Sequence, residues 1–346
     1  MKYQYNMHDL IYNLPEQIYN ASQLPINISA SAFTQYRNIV IAGMGGSGIG
    51  GEIIKALLAS SIELPIMTIK DYDLPAFVNK NTLLFAVSYS GNTEETLACF
   101  NKARRLGSHI IAITTGGQLL NKCKNHNIDY VKLPKGPSSR CAIGYLTIPQ
   151  LLCLSKLGLI KKIDRHIKET IRVMSFEREK YNNLAKKLAK QLIAKLPLVY
   201  ASSSLLAPVA KRWQTQLNEN AEIIAHSNVF PELSHNEIVG ITDPYPLVPL
   251  YYLLLIDPKS HKRNLLRINF TLEIIEKRIE GKIRKKYLKF QKFSPDGKSD
   301  LARIFSLIML GDLISYHLAH ARKVVPESIS AIDELKKKLD DVKNIS

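Results

Sequence analysis

Residues 83–96 read LLFAVSYSGNTEET, an apolar run followed by a hydroxyl-rich turn and two acids. An unbroken apolar run of that length is a strand covered on both faces. The acids suit the start of a helix, whose N-terminus carries partial positive charge, and Lys102, Arg104 and Arg105 stand where the same helix would end. The sequence on either side repeats this strand–turn–helix unit. Ile39–Ala42 runs into GMGGSGIGG at 43–51, after which Ile49, Ile53, Ile54, Leu57 and Leu58 recur at helical spacing. Further apolar runs at 66–69, 110–114 and 130–133 complete the expectation of an α/β domain, a parallel sheet flanked by helices.

The pattern then restarts. Residues 162–196 contain no Gly or Pro and are rich in Lys, Leu and Ala, which predicts one long helix. LVYA at 198–201 leads into SSSLL and a helical stretch over 207–220. We expect a second α/β domain with later strands at 251–256 and 286–290 and a long amphipathic helix over 299–322. The predicted organisation is an N-terminal domain at 1–155, a linking helix at 156–196 and a C-terminal domain at 197–346.

Composition narrows the partners. With 46% hydrophobic residues across 346, the chain can bury a substantial core, which excludes disordered and collagen-like classes. Lys+Arg 47 against Asp+Glu 30 gives a net charge of +17, which favours anionic ligands such as nucleic acid, lipid headgroups or phosphorylated metabolites. The bases are dispersed and lack interleaved aromatics, so no nucleic-acid partner is expected. No membrane partner is expected either, because the apolar stretch 142–160 is interrupted by Thr147, Pro149, Gln150, Ser155 and Lys156. Cys99, Cys123, Cys141 and Cys153 form no CxxC pair and read as free thiols in a reducing compartment. The first residues lack the apolar core of a signal peptide, so the expectation is a cytoplasmic protein. His317 and His320, three apart on a helix, do not make a metal site by themselves.

Two loops carry chemistry. The first contains GxGxxG at Gly43, Gly45 and Gly48, which reads as a dinucleotide turn with Asp71 or Asp73 on a ribose, or simply as a tight strand-to-helix turn. The second places Ser88, Ser90 and Thr93 beside the free backbone N–H groups of a helix start, with Gly91 at the bend. Three hydroxyls so spaced make a cup for one phosphate monoester, and Gly46 and Ser47 from the first loop would complete it. The plainer alternative is N-capping by Ser90 or Thr93.

SYSGNTEE resembles the signature of the SIS (sugar isomerase) fold, flavodoxin-like domains that bind phosphosugars. GPSSRCAIGYL from Gly136, NENAE at 218–222, PELSHNEIVG at 231–240 and GDLISYHLA at 311–319 narrow the resemblance to the bifunctional phosphoglucose/phosphomannose isomerases. That resemblance spans nearly the whole chain and implies two tandem SIS domains, a phosphorylated hexose substrate, no cofactor and no metal. It implies interconversion of glucose 6-phosphate or mannose 6-phosphate with fructose 6-phosphate through ring opening and an enediolate. Such chemistry needs a base, a ring-opening acid and a cation for the developing oxyanion. The resemblance assigns these to Glu219, His235 and Arg140, with His235 acting across a homodimer interface, and places Lys336 near the sugar.

Each assignment has a plainer reading. Glu219 could be a solvated helix acid, Arg140 a surface cation, and His235 a loop residue with Glu232 or Glu237 as the acid. Lys337 and Lys338 leave the register of Lys336 open, and either Ser328 or Ser330 could supply the family's hydroxyl. Ser139 stands where the family more usually has Pro, and Val325 where Asp is common. The basic segment 259–293 reads as a solvated face, with a site for an acidic partner as the alternative. The rival functions are a non-catalytic phosphosugar-binding regulator, an isomerase of another sugar phosphate, and a nicotinamide dehydrogenase.

Overall fold

A computed structural model describes residues 6–29, 36–136, 138–242, 249–278 and 288–343. Helices α1 (Met7–Tyr12) and α2 (Leu14–Ser22) precede a five-stranded parallel sheet. Its strands are β1 (Asn38–Ala42), β2 (Ile66–Ile69), β3 (Thr82–Val87), β4 (His109–Thr114) and β5 (Asp129–Lys132), in the order β2-β1-β3-β4-β5. The runs in β3 and β4 are buried at every position, as continuous apolar strands should be. Helices α3 (Gly45–Leu58), α4 (Glu94–Arg105) and α5 (Gly117–Asn125) connect the strands, and α6 (Ile143–Lys156) follows them.

The long helix α7 (Asp164–Leu192) buries Ile167, Thr170, Met174, Tyr181, Ala185, Leu188 and Leu192, a stripe at helical spacing. Beyond it lies a second parallel sheet of β6 (Leu196–Ala201), β7 (His226–Val229), β8 (Leu250–Leu255) and β9 (Leu288–Phe293), in the order β7-β6-β8-β9. Helices α8 (Ala207–Ala221), α9 (Glu237–Thr242) and α10 (Lys262–Arg278) lie between its strands. The first four strands of one sheet and all four of the other share one order. In each, the chain moves to one side of the first strand and then to the other, which opens a crevice at the carboxyl ends of β1 and β3, and again at those of β6 and β8.

Three sequence expectations need correction. The strand placed at 286–290 is described from Leu288 to Phe293, and 279–287, including part of the basic segment, lie outside the described residues. The short edge strand β7, HSNV, went unread because its half-buried polar residues carry no apolar run. The helix expected to be amphipathic, α11 (Asp300–Ala321), is buried without a break from Leu301 to Ser315. It packs against α1, α7 and α8, and its polar residues bond within the protein instead of facing water. By length and composition it could cross a membrane, but 89% of its apolar window is buried inside the fold, so it is a core helix. Burial of Ile304, Phe305, Ile308, Leu313 and Ile314 contributes about 1.5–3 kcal/mol each before chain entropy is counted. A last helix, α12 (Ser330–Lys343), lies on the surface.

Where α1, α7 and α11 meet, His8 Nε2 and His317 Nε2 both donate to Asn182 Oδ1, at 3.2 and 2.7 Å. Burial, helped by nearby His8, Lys186 and His320, lowers the His317 pKa to about 4. The unfolded chain therefore takes a proton near pH 6.5 that the folded protein refuses. Stability is full above that pH and is lost as pH falls toward 4. His317→Gln keeps a donor for Asn182 but cannot titrate. Between pH 7 and 5, urea unfolding should show wild type losing about 1 kcal/mol more than this variant, with solvent screening allowed for.

Candidate active site

The glycine-rich stretch is the opening of a helix and not a free loop, since α3 begins at Gly45 directly after β1. Glycine is required here by close approach. A Cβ on Gly46 would lie 2.6 Å from Ser139 O, and one on Gly43 would lie 2.9 Å from Val87 O. The ends of β1 and β3 and the segment carrying Arg140 thus converge at backbone contact. Ser47 Oγ accepts the Tyr89 N–H at 3.2 Å and ties the first turn to the second.

In the second turn, Ser88 Oγ and Thr93 Oγ1 are 2.9 Å apart, and Ser88 Oγ also accepts the Gly91 N–H at 3.0 Å. Gly91 has φ +74°, and a Cβ there would strike Gly116 O. Thr93 occupies the N-cap position of α4 but makes no side-chain cap bond, and among the described residues Ser90 Oγ accepts only the Asn92 N–H, at 3.3 Å. Capping therefore does not account for these hydroxyls. They ring the start of one helix beside the start of another, where two positive dipole ends meet, an arrangement suited to a phosphate.

Arg140 is 6% exposed, not the surface cation its Ser-rich surroundings allow. Its Nη1 donates to Asn220 Oδ1 at 2.7 Å and Pro326 O at 3.0 Å, its Nη2 donates to Glu327 O at 3.0 Å, and its Nε lies 3.4 Å from Glu219 Oε2. One face of α8 builds this centre, because Arg212, Gln216, Glu219 and Asn220 recur at helical spacing. Arg212 donates to Arg140 O at 2.7 Å and binds both oxygens of Asp312 on α11, at 3.0 and 2.6 Å. Asn220 donates to Ser315 Oγ at 2.9 Å. The buried Arg212–Asp312 pair fixes α8 against α11, and removing one partner would strand a charge. Burial raises the Glu219 pKa, while the Arg140 and Arg212 charges hold it back. The result is a carboxyl that can exchange a proton beside a cation that cannot.

The other expected residues fall elsewhere. His235 closes a short 3-10 turn after Pro231, is exposed, and makes no hydrogen bond or ion pair among the described residues. Glu237 is held by Tyr200, Asn228 and His226, and Glu232 by Asn236, so neither joins the Arg140 cluster. Lys336 lies exposed on α12, whose first residue follows closely on the Glu327 carbonyl that Arg140 grips. Asp73 is held by Lys102 at 2.8 Å, and Asp71 accepts the Tyr72 N–H, which leaves the dinucleotide reading without support.

Arg212, Gln216, Asn220 and Asp312 had no role assigned from the sequence, although Asn220 lies in NENAE and Asp312 in GDLISYHLA, and Asp312 is also an isolated acid inside an apolar helix. Among the described residues, no three His, Cys, Asp or Glu gather as metal ligands. All four cysteines are free and buried, and burial pushes the Cys99 thiol up to about 11 and the Cys123 thiol up to about 12.

Comparisons with known proteins bear on the family and the fold. Residues 181–339 match the family described as bacterial phospho-glucose isomerase C-terminal SIS domain, and residues 32–143 match the SIS domain. The bifunctional phosphoglucose/phosphomannose isomerase of Caldicellulosiruptor bescii is 40% identical over 98% of this chain and 100% of its own length. That of Thermoplasma acidophilum is 39% identical over 88% of this chain and 90% of its own. The crystal structure of tagatose-6-phosphate ketose/aldose isomerase from Escherichia coli superposes with a TM-score of 0.67 at 15% identity, covering 93% of this chain and 97% of that one, which is a likeness of fold.

Proposed function

Because the chain belongs to the bifunctional phosphoglucose/phosphomannose isomerase family, an aldose–ketose isomerase, we propose that it interconverts glucose 6-phosphate and mannose 6-phosphate with fructose 6-phosphate. The observation that carries the reading is the 3.4 Å approach of Glu219 to the buried Arg140, in a segment that touches the phosphate-type turns. Glu219 moves the proton between C1 and C2. Arg140 steadies the enediolate oxygen with a charge that burial does not remove. Gly46, Ser47, Ser88, Ser90 and Thr93 hold the phosphate. His235 opens the ring, and Lys336 contacts the sugar.

The deciding assay supplies fructose 6-phosphate to the purified protein and quantifies both aldose 6-phosphates. Formation of both establishes the bifunctional reaction. Phosphosugar binding with neither product would make the protein a regulator or an isomerase of another sugar phosphate. The double substitution Ser90→Ala with Thr93→Ala should raise KM by about ten- to a hundredfold, with kcat changed much less, as expected for lost hydrogen bonds to a charged group. Steady-state kinetics checks it, and an unchanged KM would move the phosphate elsewhere.

The protein acts as a homodimer in this reading. The turn bearing His235 lies in a region that also exposes Ile224 (82%) and Val239 (71%), apolar side chains that a second copy would cover. The free buried cysteines support a reducing, cytoplasmic setting.

A further inference from the structure

The loops after β3 and β8 occupy the same place in the two sheets and have the same spacing, each opening its helix seven residues past the strand. At the first, third and sixth positions the β3 loop carries Ser88, Ser90 and Thr93, whereas the β8 loop carries Ile256, Pro258 and His261. The second sheet therefore keeps the crevice and lacks the hydroxyl cup. The crevice is not filled by the protein. A cavity of about 500 Å³ lies there, within the range of small-molecule sites.

The cavity is lined from both domains. The turn after β6 contributes Ser203 and Ser204, the β8 loop contributes Ser260, α10 contributes Asn264, and the apolar side includes Leu205 and Phe230. Asp257, 2% exposed, and Asp300 also line it, and both are bound by Arg303, at 3.2 and 2.7 Å. Arg303 is itself 5% exposed and lines the same cavity. Ser203 Oγ and Arg303 Nε are buried with no hydrogen-bond partner among the described residues. Buried polar groups left unmatched are costly, so the wall of this cavity is polar and incompletely satisfied.

We propose that this cavity is a second carbohydrate-recognition site, for a polyhydroxylated ligand without phosphate, such as a free sugar or sugar alcohol. Carboxylates and serines accept from hydroxyls, Asn264 and the serines donate to them, and the apolar side suits the C–H face of a sugar. Charge opposes a phosphate. Arg303 and Lys259 are balanced by Asp257 and Asp300 within the lining, and a dianion would have to settle beside two carboxylates with no cup to receive it.

Glucitol and glucose are the probes, titrated into the full-length protein by calorimetry with and without saturating fructose 6-phosphate. One of them should bind saturably at one site per chain, undisturbed by fructose 6-phosphate and retained in the Ser90→Ala, Thr93→Ala protein. Ser204→Trp, at an exposed position of the lining, should weaken that binding by at least about tenfold while leaving isomerase activity unchanged. Asn264→Leu serves as the second variant should the first fail to fold. The proposal is overturned if neither probe binds, if fructose 6-phosphate displaces the probe, if binding survives both variants, or if inorganic phosphate occupies the same site as tightly. An absence of isomerase activity would leave the titration readable.

Discussion

In the Glu219→Gln protein, kcat falls by about two to four orders of magnitude, the usual worth of a positioned general base, while affinity for fructose 6-phosphate stays within about threefold of wild type. The amide matches the carboxylate in shape but cannot take a proton. The site should not collapse, because Arg140 keeps its bonds to Asn220, Pro326 and Glu327 when it loses the charge opposite its Nε. Burial raises the Glu219 pKa, so wild-type kcat/KM should fall on the acid side as this group protonates, and the variant's residual rate should lack that limb. Steady-state kinetics together with calorimetric titration of the phosphosugar reads both parts. Loss of affinity in step with turnover would instead make Glu219 a ligand-holding residue.

His235→Asn should be as inactive as Glu219→Gln, and mixing the two inactive proteins should restore activity. If each site takes Glu219 from one protomer and His235 from the other, a mixed dimer contains one intact site. Random re-pairing of equal amounts makes half the dimers mixed, so activity returns to about a quarter of wild type. If both residues serve the same protomer's site, every site in the mixture lacks one group and nothing returns. The measurement is turnover after the two variants are jointly denatured and refolded, with each refolded alone as the control. The exposed imidazole of His235, without a partner among the described residues, motivates the arrangement.

Much of this architecture could be read from residue order because parallel strands announce themselves. LLFAV and IVIA are buried throughout and have no polar face to confuse the pattern. HSNV carries no such signature, since an edge strand that is only half-buried looks like a loop. The helix at 300–321 misled in the opposite direction. Arg303, Ser306, Asp312 and Ser315 suggested a wet face, but each is met inside the fold, and a pattern of letters does not say whether a polar group faces water or a partner. The hydroxyl turn was readable because its residues are adjacent in sequence. The Arg140 centre was not, because its parts come from 140, 212–220, 312–315 and 326–327, and only the packing of α8 on α11 joins them.

The burial of α11 on every side also bears on how the chain is made. Helix α7 emerges from the ribosome well over a hundred residues before the helix it packs against, and Met7 waits still longer for Glu327 Oε1, to which its N–H donates at 3.2 Å. Until then, the apolar stripe of α7 is covered only in part, by α2, and a nascent chain in that state is a natural client for a chaperone that shields greasy surface. The carbonyls of Pro326 and Glu327 that hold Arg140 are translated later still, after α11. The first sheet can assemble early from neighbouring strands, but the bonds around Arg140 close only after residues 326 and 327 have been made. Messages truncated before that point would yield a product that still displays the turns after β1 and β3 but lacks the carbonyls that hold Arg140.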